Sequence, residues 1–161
     1  MKTDYIIGMD PGYGGAFATL HYEKLYAVLD MPIIKVNGKT RLNIPAIKIY
    51  LQEMHSDSVT VVIEDVHAMP GQGVTSMFNF GFQLGALHAV VVGMGWNLET
   101  ATPQSWKKEF GLIGRDKEVA LGKAISLFPE WRHDFARKKD IGRADAALIA
   151  YYGYLRSNRN A

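Results

Sequence analysis

The stretch YIIGMDPGYGGAFATLH, Tyr5 to His21, runs apolar into Asp10, turns through Pro11, Gly12, Gly14 and Gly15, and resumes as a second apolar run. Two short strands joined by a glycine-rich turn satisfy that pattern. An acid that closes a buried-type strand needs a partner, because an isolated charge at the edge of a core is costly to desolvate. What faces Asp10 therefore decides both the fold and its use.

Outward from this hairpin, DYIIGMD (4–10), GAFATLHY (15–22) and KLYAVLDMP (24–32) read as three strands in a meander. Residues 33–42 read as a polar loop around Asn37 and Gly38. A helix then starts at the cap Asn43, with Pro45 in its first turn and Ile44, Ile47, Leu51 and Met54 at helical spacing. SVTVVIED (58–65) is a buried-type strand ending in Glu64 and Asp65, and a loop leads to an apolar helix over 76–93. WNLETAT (96–102) is a fifth strand, followed by short helices over 103–109 and 116–128, a basic loop, and a last helix near 143–157. This order predicts an α/β fold. Its mixed five-stranded sheet has three antiparallel strands, then two parallel ones, flanked by helices. At 161 residues the chain reads as one domain, 1–161.

Composition is that of an ordinary globular protein, 48% hydrophobic and 21% charged. No stretch approaches the roughly 18 apolar residues of a membrane span, and no signal-peptide pattern opens the chain. The absence of cysteine excludes disulfides and thiolate metal sites, and fits a reducing cytoplasm. The net charge is only +2, but cations crowd the last third, from Lys107 to Arg159. That bias suggests a polyanionic partner, most simply nucleic acid, against the commoner alternative of a solvated basic surface.

The crossover helix makes the fourth strand parallel to the first, so Asp10 and Glu64 stand together at carboxyl ends of neighbouring strands. Such a pair repels and calls for a cation or a shared proton, and oxygen ligands without cysteine suit Mg²⁺ or Mn²⁺. In DIGRADAALIAYYG, Asp145 is expected in the first turn of the last helix, with Ala146, Ala147 and Ala150 small enough for close approach to the sheet. Each acid alone reads more readily as a turn or cap residue; three acids that each close an apolar element shift the balance. PGYGG is a weak phosphate motif, being what a hairpin needs in any case, though a bare backbone at Gly12 and Gly14 also admits a phosphodiester.

With GMDPG, VVIEDVHAMPGQG, TPQSWKKEFGL and GRADAALIAYYG in this order, nearly the whole chain resembles the RuvC family of Holliday-junction resolvases. It looks closest to the phage-encoded relatives. The resemblance implies a ribonuclease-H-like fold, a homodimer and incision of branched, four-way DNA with two Mg²⁺ ions per site, Mn²⁺ being able to substitute. Asp10, Glu64 and Asp145 match three of the family's catalytic, metal-binding acids. A fourth falls at Gly142, where the match fails, and Asp140 is the substitute considered. Lys107 and Lys117 fall near two basic positions beside the scissile phosphate, with Lys108 an equal candidate for the first. His67 stands where the family has a base-stacking aromatic. DNA contacts are expected from Gly12, Gly14, His67, Lys107, Lys108, Lys117, Arg137, Lys138, Lys139 and Arg143.

The helix over 76–93 is apolar nearly all round, and Gly81, Gly85 and Ala89 recur at intervals of four. Given the resemblance, a dimer interface through Phe78, Gly81, Phe82, Gly85 and Ala89 is expected, with His88 packed and hydrogen-bonded. Two other functions remain open: a junction-binding module without catalysis, and an actin-like ATPase suggested by GMDPGYGG. That ATPase fold needs two such domains around its nucleotide, so no nucleotide cofactor is expected, nor any membrane partner.

Overall fold

Strand alternation sets the architecture. In the computed structural model, which describes residues 4–54, 56 and 58–159, β1 (Tyr5–Asp10) buries Ile6 on one face and Ile7 and Met9 on the other. A strand buried on both faces belongs in the middle of a sheet. The five-stranded order places β1 between β2 (Ala16–His21) and β6 (Val59–Glu64). β3 (Lys24–Asp30) lies outside β2, and β7 (Asn97–Ala101) outside β6. β1 to β3 are antiparallel, and β1, β6 and β7 run parallel, as the element order predicted.

Helices cover both faces. α1 (Ile44–Gln52) and α2 (Val74–Gly93) enclose Ile7, Met9, Phe17, Val61 and Ile63. Asn43 caps α1 through its side chain, which accepts from the Ala46 amide at 3.2 Å. The opposite face packs on α3 (Pro103–Glu109), α4 (Val119–Leu127) and α5 (Ile141–Arg159). α5 lies hard against β1. A Cβ at Gly8 would overlap the backbone of Ala146 and Ala150, so Gly8 and the alanines of α5 permit the approach together. α5 starts two residues before its expected position, which puts Asp145 past the first turn and weakens the macrodipole argument for it.

Three other expectations change. Residues 33–42 are a second sheet, the hairpin β4 (Ile33–Val36) and β5 (Lys39–Leu42). Asn37 and Gly38 turn it with φ of 50° and 74°, the positive pair that matches strand twist. The basic loop is two 3₁₀ segments, Pro129–Phe135 and Lys138–Asp140. Finally, α2 is long and apolar enough by length and composition to cross a membrane. Its Gln83, Leu87 and Val91 are nonetheless buried against the sheet.

Candidate active site

Asp10 is the last residue of β1 and Glu64 the last of β6, and the parallel register pairs Met9 with Ile63 just before them. Period-two alternation puts both acids on the face that holds Ile6 and Val62, the face α5 covers. Asp145 of α5 joins them at one cleft of about 550 Å³. The same cleft is walled by Lys107, Lys117 and Lys139 and by Gly14 of the β1–β2 turn. Among the described residues, neither the Asp10 nor the Asp145 carboxylate has a side-chain hydrogen bond or ion pair. Glu64 has one: the indole Nε1 of fully buried Trp106 donates to its Oε1 at 2.9 Å.

The three acids hold their protons unusually well. Burial pushes Asp10 well above the usual carboxylate range, and the charges of Asp145 and Glu64 push it further, against the pull of Lys107 and Lys117. Asp145 rises to about 7, from burial first and Glu64 second, against the same two lysines. Glu64 rises through burial, offset by the Trp106 hydrogen bond and by Lys107. Three oxygen donors that repel one another, with no bound side-chain cation, are a donor set that suits a hard divalent ion. Among the described residues the side chains do not already converge as a three-ligand group.

The other expected site residues separate from these three. Asp140 is buried but lines no part of the cleft, and its carboxylate is gripped by Arg137. Nε and Nη2 of Arg137 donate to the two oxygens at 3.0 Å each, and its backbone N–H adds a third bond at 3.0 Å. Those bonds pull Asp140 below the usual carboxylate range, the reverse of the cleft acids. A fourth ligand at Asp140 is therefore not what the structure builds. Gly142 cannot supply one either, since a Cβ there would overlap the carbonyl oxygen of Gly14. The turn that begins with Asp10 thus packs directly against this position of α5. Asp116 does line the cleft, and sequence reasoning passed over both it and Trp106. The residues TPQSW placed Trp106 beside the basic pair, but a buried donor aimed at Glu64 is a property of the fold.

Of the expected DNA contacts, Lys107, Lys117, Lys139 and Gly14 reach the cleft. Gly12 sits in the adjoining turn at φ 111°, and Lys108 is exposed on α3 outside the cleft. Arg143 is a correction: its fork closes on Asp30, with Nε–Oδ1 at 2.6 Å and Nη2–Oδ2 at 2.8 Å, which ties α5 to the end of β3. Lys138 pairs with Glu118 at 2.9 Å. His67 is exposed, 3.6 Å from Asp65, and borders a separate hollow of about 520 Å³ against α2.

On α2, Phe78 and Phe82 are 74% and 66% exposed, and Gly81, Gly85 and Ala89 share that outward side. His88 departs from expectation, its buried Nε2 having no hydrogen-bond partner among the described residues.

No protein-family model matches the chain. Over 83 residues it is 34% identical to the chloroplastic Holliday junction resolvase MOC1 of Chlamydomonas reinhardtii, a match covering 51% of this chain and 9% of that protein. The chain thus spans less than a tenth of that relative's length. Among solved structures, Thermus thermophilus RuvC in complex with Holliday junction substrate superposes with a TM-score of 0.63 at 13% identity, covering 94% of each chain. The fowlpox virus Holliday junction resolvase superposes at 0.59 with 15% identity, covering 96% of this chain and 99% of that one. The fold of this chain is the ribonuclease-H-like fold of the RuvC-type resolvases.

Proposed function

We propose that the protein is an endodeoxyribonuclease that incises four-way and related branched DNA by divalent-metal-dependent phosphodiester hydrolysis. One observation carries the reading: three unpaired or nearly unpaired carboxylates, from two strand ends and one helix, share a cleft edged by three lysines. The sequence match to a resolvase and the shared fold support it.

Asp10, Glu64 and Asp145 would hold Mg²⁺, two ions per site, or Mn²⁺ in their place. The metal supplies Lewis-acid activation of water and counter-charge for the departing oxygen. The chain's own groups do the rest. Lys107, Lys117 and Lys139 seat the scissile phosphate and screen its growing negative charge. Trp106 fixes one Glu64 oxygen, leaving the other to face the cleft. Gly14 keeps the rim low, so a sugar-phosphate strand can approach the acids. Two symmetric cuts need two sites, which a twofold dimer through the exposed Phe78 and Phe82 side of α2 provides.

The test is to incubate the protein with labelled four-way, Y-shaped and linear DNA in Mg²⁺, Ca²⁺ or chelator. Paired incision of the four-way form in Mg²⁺ is expected, with binding alone in Ca²⁺, whose looser shell misplaces the attacking water. Full activity in chelator overturns the metal chemistry. Selective binding without incision in Mg²⁺ or Mn²⁺ replaces the enzyme with a junction-binding module. Phe82→Asp should give a monomer by light scattering and lose the pairing of the cuts; paired cuts by a monomer overturn the dimer.

A further inference from the structure

The cations of this chain fall into two populations. Five of those in the C-terminal third outside the cleft are neutralised: Arg137 by Asp140, Lys138 by Glu118, Arg143 by Asp30, Arg156 by Glu99 and Arg159 by Glu109, while Lys108, Lys123 and Arg132 have no acidic partner among the described residues. The hairpin β4–β5 is the opposite. From Met31 to Gln52 the chain has no acidic residue, while the hairpin carries Lys35, Lys39 and Arg41. Among the described residues none of these three has an acidic partner. Lys35 instead donates to the Thr40 hydroxyl at 2.7 Å, and Arg41 to the Thr40 carbonyl at 3.0 Å.

The register aligns the hairpin for a surface. Val36 pairs with Lys39 and Ile34 with Arg41, and residues paired across antiparallel strands share a face. One face therefore mixes two cations with two aliphatic side chains, each of the latter nearly half exposed. Lys39, Thr40 and Arg41 border a groove with Tyr13 of the β1–β2 turn and Thr75 and Asn79 at the start of α2. The next glycine of that turn, Gly14, borders the acidic cleft. A strand leaving the cleft across the turn would meet the hairpin groove next.

We propose that the β4–β5 hairpin is a second DNA-binding element, with Lys39 and Arg41 gripping the phosphate backbone of one substrate arm beside the cleft. The assignment rests on the nuclease reading and adds to it a surface that the basic C-terminal third does not provide. Charge complementarity selects the occupant: a protein partner would need an acidic strip, whereas every DNA backbone presents regularly spaced anions.

The test uses the intact protein and a labelled four-way junction in Ca²⁺, with affinity measured by fluorescence anisotropy across salt. Lys39→Ala with Arg41→Ala should weaken binding roughly tenfold and flatten the log–log salt slope by about 1.8, two contacts at ~0.9 each. Lys24→Ala, on β3 at the far end of the sheet, should change neither. Incision in Mg²⁺ at saturating protein should stay within about twofold of the unmodified chain, because the cleft is untouched. The chain has no native cysteine, so Val36→Cys offers one attachment point for a photo-crosslinker, which should label DNA even if the double variant folds poorly. An unchanged slope and affinity overturns the hairpin assignment and leaves the nuclease reading standing. So does a crosslink to a second copy of the chain instead of DNA. Failure of the unmodified protein to bind branched DNA overturns both.

Discussion

Asp140 and Asp145 are five residues apart, yet the molecule treats them in opposite ways. Asp140 is buried inside an arginine fork, accepts three hydrogen bonds from Arg137, and is pulled below the usual carboxylate range. Asp145 has no such partner, faces Asp10 and Glu64 across a cleft, and is pushed up to about 7. A satisfied buried ion pair contributes order to the fold, whereas unsatisfied like charges cost stability and persist where something else is to be bound. Acidic residues near a helix start are thus sorted by their partners, not by their position in the chain.

Neutralising each group in turn separates the two roles. Asp10→Asn, Glu64→Gln and Asp145→Asn should each lower incision at least about a hundredfold while leaving junction binding intact or tighter. Asp140→Ala should do the reverse. Incision should stay within a few-fold, but chemical denaturation should show a loss of about 1–3 kcal/mol, because the Arg137 amide and guanidinium lose their acceptor and Arg143 loses an ion-pair neighbour at 3.9 Å. Loss of incision in Asp140→Ala with unchanged stability would falsify the division between the two groups.

That division was only partly legible in the sequence. β1, β6 and α5 follow from apolar runs that close on Asp10 and Glu64 and from the alanines after Asp145, because periodicity is a local signal. The fate of Asp140 is not local in that sense: it depends on Arg137 folding back from a 3₁₀ turn that composition presents as a basic loop. Arg143 is clearer still, since Asp30, its partner, is 113 residues away. Gly142 could be read only as a missing acid; the structure gives the reason, the Gly14 carbonyl packed against it. The β4–β5 hairpin was hidden by its polarity, although Asn37-Gly38 between alternating residues is the local signature of such a turn.

The same opposition between the two groups should appear in the pH dependence of stability. For Asp145 the folded value of about 7 exceeds the usual 3.8, so between those limits the folded chain holds a proton that the unfolded chain has released. Stability then falls as pH rises through that window, and Asp10 and Glu64 act in the same direction. Asp140 and Asp30 are lowered, so their contribution is present above the usual carboxylate value and is lost as the solution becomes more acidic than that. Without divalent metal, the melting temperature should peak near pH 5 and decline towards pH 8. Asp145→Asn should flatten the decline and gain on the order of 1–2 kcal/mol at pH 8. Mg²⁺ should raise the melting temperature more at pH 8 than at pH 5. A flat profile in the unmodified protein would show that the three acids do not share a field.

The smallest expected effect tests Glu64, a cleft acid with a hydrogen-bond partner. Glu64 differs from Asp10 and Asp145 in accepting the Trp106 Nε1–H bond, which opposes the rise that burial imposes. Trp106→Phe keeps an aromatic ring in the buried site but removes that donor. Losing a hydrogen bond to a carboxylate costs about 1–3 kcal/mol of local interaction, and some of it will reappear as a higher Glu64 pKa. The variant should therefore incise more slowly by a few-fold at pH 8 and by more at pH 6, shifting the acid limb of the rate profile upward. The affinity for junction DNA should not change, since Trp106 is fully buried. A purely structural role for the indole would instead lower the amount of active protein equally at every pH. Trp106→His offers the complementary arm, because an imidazole N–H can replace the donor. Partial return of the acid limb in that variant, set against its persistence in Trp106→Phe, would assign the effect to the hydrogen bond and not to the lost volume.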